Sequence, residues 1–235
     1  MDFSKFDQRR YPTVSVREGY GEWARTYEDT VLDLMDLRLL ERLHAVDWRR
    51  MARAVDLACG TGRIGVWLEK AGILSLHGVD FTEAMIEGAR RKGVYDRLTL
   101  ADIAVTGLDG GTFDLATMVL ADEHLADLRP VYREAARLLA PDGRFVLVGY
   151  HPFFLMMVGM PTHFDRAPGE PVAIESHVHL TSDHVAAGLG AGLRLVEMVE
   201  GLVDDDWIAA KPKWAAQRDR PVSFAMVWVK EHSAR

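Results

Sequence analysis

The stretch of sequence that decides the fold is Val55-Asp56-Leu57-Ala58-Cys59-Gly60-Thr61-Gly62-Arg63. It is typical of a short buried strand, a glycine turn and the first residue of a helix. Two glycines separated by one residue let the backbone approach a ligand where a side chain would block it. The turn opens onto a helix N-terminus, where unpaired backbone N–H groups gather. The stretch therefore predicts a binding site for a small polar group.

Predicted strands and helices alternate along residues 54–150. Strands are predicted over 54–59, 75–80, 98–102, 113–120 and 144–150, helices over 63–71, 82–92 and 128–139, and a turn over 141–143. This alternation is typical of βαβ units, whose strands form a mostly parallel sheet with helices on both faces. We therefore predict an α/β fold with a three-layer, Rossmann-like core.

The segments on either side of this core have other patterns. Residues 1–22 are polar and are predicted to be irregular, whereas apolar residues recur at helical spacing over 23–43, which predicts one helix. The predictions after Tyr150 are a segment with little helical period over 151–181, a helix over 182–190, a strand over 193–200, a polar segment over 204–220 and a last strand over 222–229. We expect the chain to form a single domain over 1–235.

Composition and charge restrict the class of protein. The chain has 235 residues, of which 49% are hydrophobic and 27% charged, and its net charge is −7. It has no basic run of the kind that binds nucleic acid and no apolar run long enough to cross a membrane. One cysteine excludes an internal disulfide and fits a reducing compartment, and the N-terminus has no signal-peptide pattern. We expect a cytoplasmic protein that binds neither nucleic acid nor membrane.

The glycine turn alone leaves the ligand open. Gly60, Gly62 and Gly65 satisfy the G-x-G-x-x-G pattern of dinucleotide-binding proteins. Asp80 ends the next predicted strand, where a carboxylate accepts hydrogen bonds from ribose hydroxyls. Up to this point NAD and any other adenosine cofactor fit equally well.

Asp56 separates these cofactors by charge. It precedes the turn within the first predicted strand, and a carboxylate there repels a pyrophosphate but attracts an ammonium group. S-adenosylmethionine carries an ammonium group, a ribose and an adenine, and it has no phosphate. Asp102, at the end of the third predicted strand, adds a carboxylate suited to the adenine amino group. Three acids at three successive strand ends therefore favour S-adenosylmethionine over NAD.

The motifs together resemble those of the class I S-adenosylmethionine-dependent methyltransferases. The matching stretches are Asp56-x-x-Cys59-Gly60-Thr61-Gly62, Gly78-Val79-Asp80-Phe81-x-x-x-Met85, Ala101-Asp102-Ile103, Phe113-Asp114-Leu115 and the run from Leu138 to Phe145. In the last of these, Asp142-Gly143 stands where the family usually has two glycines. The chain is most similar to the small-molecule branch that includes the biotin-pathway and ubiquinone-pathway methyltransferases. Tyr20-x-x-Trp23-Ala24-x-x-Tyr27 resembles the N-terminal lid helix of that branch.

This resemblance implies a fold and a set of cofactor contacts. It implies a seven-stranded sheet in the order 3-2-1-4-5-7-6 with an antiparallel last strand, a cofactor-binding core over 20–150, and an acceptor cap over 151–181 and 204–220. The cofactor-binding residues implied by the resemblance are Tyr20, Tyr27, Asp56, Ala58, Gly60, Gly62, Asp80, Phe81, Met85, Asp102, Ile103, Val119 and Leu120. A structural alternative is that Asp80 and Asp102 merely end strands or cap helices.

Two histidines follow strand ends on the side where ligands bind to open α/β sheets. His124 lies just beyond the fourth predicted strand and His151 directly follows the fifth. Both side chains titrate near neutral pH, so either is a candidate base for an oxygen acceptor. The alternative for each is a hydrogen-bonded structural histidine, and related enzymes often use the position of His124 for packing or for shaping the cofactor site.

The segment 151–181 is predicted to cap the acceptor. Its six apolar residues are suited to a pocket for a flat or apolar substrate, although core packing explains them as well: Phe153, Phe154, Leu155, Met156, Met157 and Met160. Glu175, His177 and His179 alternate, and a strand would place all three on one face. Such a face can bind a metal, but methyl transfer needs none, and a polar acceptor pocket or an exposed edge strand is the preferred interpretation.

We therefore predict a methyltransferase that acts on an oxygen or nitrogen atom of a small molecule. The alternatives are a protein or peptide methyltransferase, a protein that binds S-adenosylmethionine without transferring methyl, and an NAD-dependent oxidoreductase. The sequence does not identify the acceptor.

Overall fold

The computed structural model of the protein describes residues 1–31 and 33–231. The strands are β1 (Thr13–Val14), β2 (Arg53–Leu57), β3 (Ser75–Asp80), β4 (Arg97–Leu100), β5 (Phe113–Val119), β6 (Leu139–Tyr150), β7 (His163–Asp165), β8 (Pro171–Ile174), β9 (Leu193–Leu202) and β10 (Pro221–Lys230). The α-helices are α1 (Val16–Trp23), α2 (Tyr27–Thr30), α3 (Leu37–Leu40), α4 (Arg63–Ala71), α5 (Glu83–Lys92), α6 (Arg129–Leu138), α7 (Pro152–Val158), α8 (Thr181–Gly190) and α9 (Asp205–Ala210). Short 3-10 helices cover Phe3–Lys5, Trp48–Arg50, Asp122–His124 and Pro212–Gln217.

The main sheet has seven strands in the order β4-β3-β2-β5-β6-β10-β9. The first five strands are mutually parallel, and β10 is antiparallel to both β6 and β9. Counted along the chain, this order is the predicted 3-2-1-4-5-7-6, so the α/β, Rossmann-like prediction is confirmed. Residues of β10 alternate between two apolar clusters, as a strand buried on both faces requires: Val222, Ala225 and Val227 in one cluster, and Phe224, Met226 and Trp228 in the other.

The helices of the core begin and end where the sequence predicts. Helix α4 ends before Gly72 and helix α5 ends before Gly93, and both glycines have a left-handed backbone (φ of 104° and 70°). Glycine adopts this conformation without the steric cost that a Cβ imposes, which explains the stop signal. The predicted turn at 141–143 is different, because these residues lie inside β6, beside a register irregularity in its pairing with β5.

The N-terminal segment differs most from its prediction. Residues 1–22 are not irregular throughout, since they include β1 and most of α1. The single helix predicted over 23–43 is wrong: α2 ends before Val31, whose backbone is extended, and α3 starts only at Leu37. Residue 32 of that predicted helix lies outside the described residues. The apolar residues of 23–43 do not form one face of a single helix: Trp23 packs in one apolar cluster, and Leu39 and Leu40 pack in another.

A second, three-stranded sheet joins the N-terminal segment to the segment 151–181. Its order is β1-β8-β7, with β1 parallel to β8 and β7 antiparallel to β8. Helix α1 lies so close to this sheet that a Cβ at Gly19 would be 2.6 Å from Ile174 Cγ1. The prediction that 151–181 has little regular structure is therefore wrong, because this segment contains α7, β7 and β8. Within the described residues, no helix is long and apolar enough to cross a membrane.

Candidate cofactor and acceptor sites

The glycine turn lies between β2 and α4, at the carboxyl end of the parallel strands. Gly60 and Gly62 have positive φ angles of 54° and 90°, as the tight turn requires. Ala58 and Leu120 also have positive φ angles, 59° and 53°, at the ends of the neighbouring strands β2 and β5. Such backbone is strained for residues with a Cβ, and strain of this kind concentrates at functional sites.

Tyr95 packs beneath the glycine turn and accounts for the third glycine of the motif. A Cβ at Gly65 would lie 2.3 Å from the Tyr95 ring. The Tyr95 hydroxyl donates to Asp56 Oδ2 at 2.7 Å, and Thr117 Oγ1 donates to Asp56 Oδ1 at 2.7 Å. The Asp56 carboxyl is therefore turned into the core, where burial raises its pKa to about 6 while the two hydroxyl donors oppose that shift.

A cavity of about 220 Å³ lies beside the turn. The predicted cofactor residues that line it are Tyr20, Tyr27, Ala58, Gly60, Asp80, Phe81, Met85, Asp102, Ile103, Val119 and Leu120. His124, predicted as a base, lines it as well. Asp56 and Gly62 do not line the cavity, so the structure does not bring these two predicted contacts to the ligand space.

The charges around this cavity fit S-adenosylmethionine better than a dinucleotide. Asp80 and Asp102 are the charged side chains among the described lining residues, and no lysine or arginine is among them. Among the lining residues a pyrophosphate has no lysine or arginine to pair with, whereas a sulfonium or ammonium group is attracted to the two acids. Asp56, which was predicted to separate the two cofactors, does not line the cavity, whereas Asp80 and Asp102 do.

Asp80 holds the glycine turn through its carboxylate. Oδ2 accepts a hydrogen bond from the Gly60 backbone N–H at 3.0 Å, and Oδ1 accepts one from Thr82 N–H at 2.8 Å. Burial raises the pKa of Asp80, and the backbone donors act in the opposite direction. Asp102 Oδ1 accepts from the Ala104 N–H at 2.8 Å, so both acids also have the structural role considered from the sequence.

An aromatic lid from the N-terminal segment covers the cavity. The rings of Tyr20, Trp23 and Tyr27 contact one another, with centroids 5.0 to 6.0 Å apart. Trp23 also stacks on Phe164 of β7 at 5.8 Å. Glu28, which follows the lid, accepts a hydrogen bond from Thr61 Oγ1 of the glycine turn at 2.6 Å. The lid is therefore attached both to the turn and to the second sheet.

His124 is engaged through both ring nitrogens. Nδ1 lies 2.8 Å from the Glu175 carbonyl oxygen, which only accepts, so Nδ1 carries the proton. Nε2 lies 2.9 Å from the Tyr20 hydroxyl and is then the acceptor of that hydrogen bond. Burial lowers the pKa of His124 to about 4, so the ring is neutral at neutral pH. The predicted base therefore has no free nitrogen in this arrangement, and it holds the lid through Tyr20.

A second cavity, of about 740 Å³, opens beyond the lid and shares Leu120 with the first. Large apolar side chains dominate its wall: Trp23, Met35, Tyr150, Phe154, Leu155, Met160, Phe164, Trp207 and Trp214. Of the apolar residues predicted for the cap, Phe153 and Met157 are exposed instead, since α7 presents only one face to the cavity. The cavity also includes Lys211 and Lys213 from the polar segment 204–220.

The other predicted polar residues lie away from both cavities. His151 caps α7, where its Nδ1 accepts from the Phe153 N–H, and its Nε2 lies 3.0 Å from Glu200 Oε1. Glu175, His177 and His179 follow β8 and do not form a strand, although His177 pairs with Asp2 in an isolated bridge and its ring lies 6.4 Å from that of His179. Among residues 1–31 and 33–231, no three His, Cys, Asp or Glu side chains are grouped so that they can hold a metal ion.

Several site residues were missed in the sequence. Thr82, Ala121 and Leu125 line the first cavity, and each directly follows a predicted site residue, so position after a strand was a usable signal for them. Val16, at the start of α1, also lines the cavity and carried no such signal. Tyr95 carried no such signal, because its place under the turn depends on how α5 returns to β4. Glu123, in the 3-10 helix that follows β5, was also missed.

Comparison with known proteins agrees with this arrangement. Residues 55–147 match the family model described as "Methyltransferase domain". Demethylmenaquinone methyltransferase of Thermus thermophilus is 34% identical over 135 residues, 51% of this chain and 61% of that protein. Malonyl-[acyl-carrier protein] O-methyltransferase of Halorhodospira halophila is 28% identical over 175 residues, 72% of this chain and 56% of that protein. The chain therefore spans less than two thirds of the length of these two curated relatives.

A solved structure extends the match to nearly the whole fold. The S-adenosylmethionine-dependent methyltransferase from Mesorhizobium loti superposes with a TM-score of 0.65 at 25% sequence identity, over 86% of this chain and 99% of that one. The strand order, the acid-lined cavity at the glycine turn and the matched domain agree on one assignment. The chain is therefore similar to the S-adenosylmethionine-dependent methyltransferases: residues 55–147 match a methyltransferase domain, and nearly the whole fold superposes on a solved structure of that kind.

Proposed function

We propose that this protein transfers a methyl group from S-adenosylmethionine to an oxygen or nitrogen atom of a small molecule bound in the second cavity. The observation that carries the proposal is that an acid-lined cavity and an apolar, aromatic cavity meet at Leu120. When bound, the cofactor supplies a methyl group activated by a sulfonium sulfur. The protein then has to align the acceptor and exclude water, and an aromatic wall does both.

The contacts that we propose for the cofactor follow the cavity lining. Asp80 has carboxylate lone pairs left for the ribose hydroxyls, beyond the two backbone N–H groups that it accepts. Phe81 and Met85 lie along the cavity wall and provide an apolar surface for the adenine, with Asp102 and Ile103 at its edge. We place the methionine part at the glycine turn and under the aromatic lid.

The acceptor cavity supports a small molecule over a protein substrate. Segments from the N-terminus, from 160–168 and from 207–214 all contribute to its wall, so it is a pocket built from several directions. The name of the Thermus relative gives a small-molecule acceptor for that protein, whereas the Halorhodospira relative is named for a carrier protein. For this chain the aromatic wall favours a flat or apolar acceptor.

Two measurements test this function. Calorimetry with S-adenosylmethionine and its demethylated product should show binding, and Asp80→Ala should weaken it about 10- to 100-fold through loss of hydrogen bonds to a charged group. The exposed Asp109→Ala is the matched control and should bind as the wild type does. Acceptors are then sought by mass spectrometry with a deuterium-labelled methyl donor. Absence of cofactor binding refutes the proposal, and binding with no transfer to any small molecule refutes its acceptor part.

A further inference from the structure

Two adjacent carboxyl groups are buried next to the acceptor cavity. Asp122 and Glu123 form the 3-10 helix after β5 and are 3% and 2% exposed. Asp122 Oδ1 and Glu123 Oε2 have no hydrogen-bond partner among the described residues. Neither carboxyl forms an ion pair with a described lysine or arginine. Each has a histidine nearby: His184 Nε2 lies 3.4 Å from Asp122 Oδ2, and His124 Nε2 lies 3.5 Å from Glu123 Oε1.

His124 does not neutralise Glu123. Its Nδ1–H is donated to a backbone carbonyl and its Nε2 accepts from Tyr20, so the nitrogen that faces Glu123 carries no proton. A buried carboxyl without a cation keeps its proton to a higher pH. Burial, followed by the neighbouring Asp122 carboxyl, raises the pKa of Glu123 well above its ordinary value.

The fold leaves room for this pair. A Cβ at Gly149 of β6 would lie 2.5 Å from Asp122 Oδ1, so only glycine fits opposite the carboxyl. A hydroxyl connects Glu123 to the acceptor cavity, because Thr162 Oγ1 donates to Glu123 Oε1 at 3.3 Å and Thr162 lines that cavity. The Tyr150 side chain, also in the cavity wall, contacts Thr162.

We propose that Glu123, paired with Asp122, receives the proton that the acceptor loses during methyl transfer, and that Thr162 passes this proton from the acceptor cavity. This rests on the proposed function. The acceptor's lone pair forms the new bond to the methyl carbon, and the carbon–sulfur bond breaks with its electron pair left on sulfur. The acceptor's proton moves to Thr162 Oγ1 while the Thr162 proton moves to Glu123 Oε1. Glu123 is thus a proton-accepting residue that acts through Thr162.

The pH dependence has a defined sign. Glu123 accepts a proton only when it is ionised, so turnover should rise as pH rises through its elevated pKa. Other titratable groups also face the pair. The histidines are His124 on the same element, His177 and His179 after β8, and His184 from α8. The tyrosines are Tyr20 from α1, Tyr27 from α2, Tyr132 from α6 and Tyr150 from β6. Burial raises the pKa of Tyr20, Tyr27 and Tyr150, so these hydroxyls stay protonated across the neutral range.

The first test is the pH profile of kcat. Glu123→Gln should lower kcat about 100-fold, within the usual range for a lost general base, and should remove the rise with pH. Thr162→Val should lower kcat about tenfold and leave KM unchanged, whereas Thr162→Ser should restore it. Glu69→Gln, an exposed carboxyl on α4, is the control and should keep the wild-type profile. A wild-type pH profile in Glu123→Gln overturns the proposal.

The second test needs no turnover. Infrared difference spectra of the protein without cofactor, recorded across the pH range, should show a protonated carboxyl band that titrates well above the ordinary glutamate range. Asp56, whose pKa is about 6, contributes to this band in every variant, so the test is the difference between wild-type and variant spectra. Glu123→Gln should remove one titrating component of the band, and Glu69→Gln, an exposed carboxyl on α4, should remove none. A Glu123→Gln spectrum identical to that of the wild type overturns the proposal. Calorimetry separates this failure from that of the proposed function, which falls only if the wild type does not bind the cofactor or transfer methyl.

Discussion

Asp56→Asn tests the position of Asp56 beneath the glycine turn. The carboxyl is 1% exposed and accepts hydrogen bonds from Tyr95 and Thr117. Its pKa rises from 3.8 to about 6, which is about two pKa units and therefore about 3 kcal/mol at ~1.4 kcal/mol per unit. The folded state therefore holds the Asp56 proton more tightly than the unfolded state does. The free energy of unfolding gains this contribution fully below pH 3.8 and loses it as pH rises through about 6.

The asparagine variant removes this ionisation but keeps the shape of the side chain. Its amide oxygen accepts from one hydroxyl, and the other hydroxyl can rotate to accept from the amide N–H. At pH 4 the variant and the wild type should therefore unfold with similar free energies. At pH 8 the variant should be more stable, by up to about 3 kcal/mol.

Urea denaturation at several pH values from 4 to 8 measures this difference. Asp29→Asn, on the exposed end of α2, is the control and should leave the pH dependence unchanged. A free-energy difference between Asp56→Asn and wild type that stays constant across this range would refute the reasoning, because it would mean that the hydroxyl donors fully compensate burial. Cofactor affinity should change little, since Asp56 does not line the cavity.

The remaining predictions concern the turn, the lid and the acceptor cavity. Gly65→Ala should lower the unfolding free energy by about 1–3 kcal/mol, because its Cβ would overlap the Tyr95 ring at 2.3 Å; thermal unfolding measures this, and a Tm at or above that of the wild type contradicts it. Thr61→Val should weaken cofactor binding a few-fold in calorimetry by removing the 2.6 Å hydrogen bond that holds Glu28 and the lid, and unchanged affinity would mean that the aromatic contacts suffice. Trp214→Ala should raise KM for an apolar acceptor at least tenfold and leave cofactor affinity unchanged. If acceptor binding and cofactor binding weaken together, Trp214 stabilises the fold and has no specific role in the acceptor site.

Much of the core could be predicted because its signals are local. The bounds of α4 depend on the glycines at 62 and 72, and each lies within a turn of the helix end that it sets. The ends of the strands could also be predicted, because each follows a run of apolar residues. Most residues that line the cofactor cavity lie at these strand ends or a few positions beyond them. The order of the strands was not a local property, and it came from the resemblance to a family.

The errors have a different origin, since they concern contacts between distant segments. The orientation of Asp56 depends on Tyr95 and Thr117, neither of which is close to it in sequence. The spacing of apolar residues over 23–43 matched that of one helix. These residues in fact belong to two separate apolar clusters, one that contains Trp23 and one that contains Leu39 and Leu40. The role that we propose for Glu123 depends on Thr162, which lies 39 residues further along the chain.

The small second sheet has a consequence for how the two substrates enter and leave. Backbone hydrogen bonds join β1, next to the aromatic lid, to β8, in the segment that supplies part of the acceptor wall. Trp23 and Phe164 add a ring stack between the same two parts. Lifting the lid from the cofactor therefore also displaces a wall of the acceptor pocket. If the two cavities hold the substrates as proposed, we expect one opening motion to serve both, so that a slow step in cofactor exchange also limits how fast the methylated product leaves.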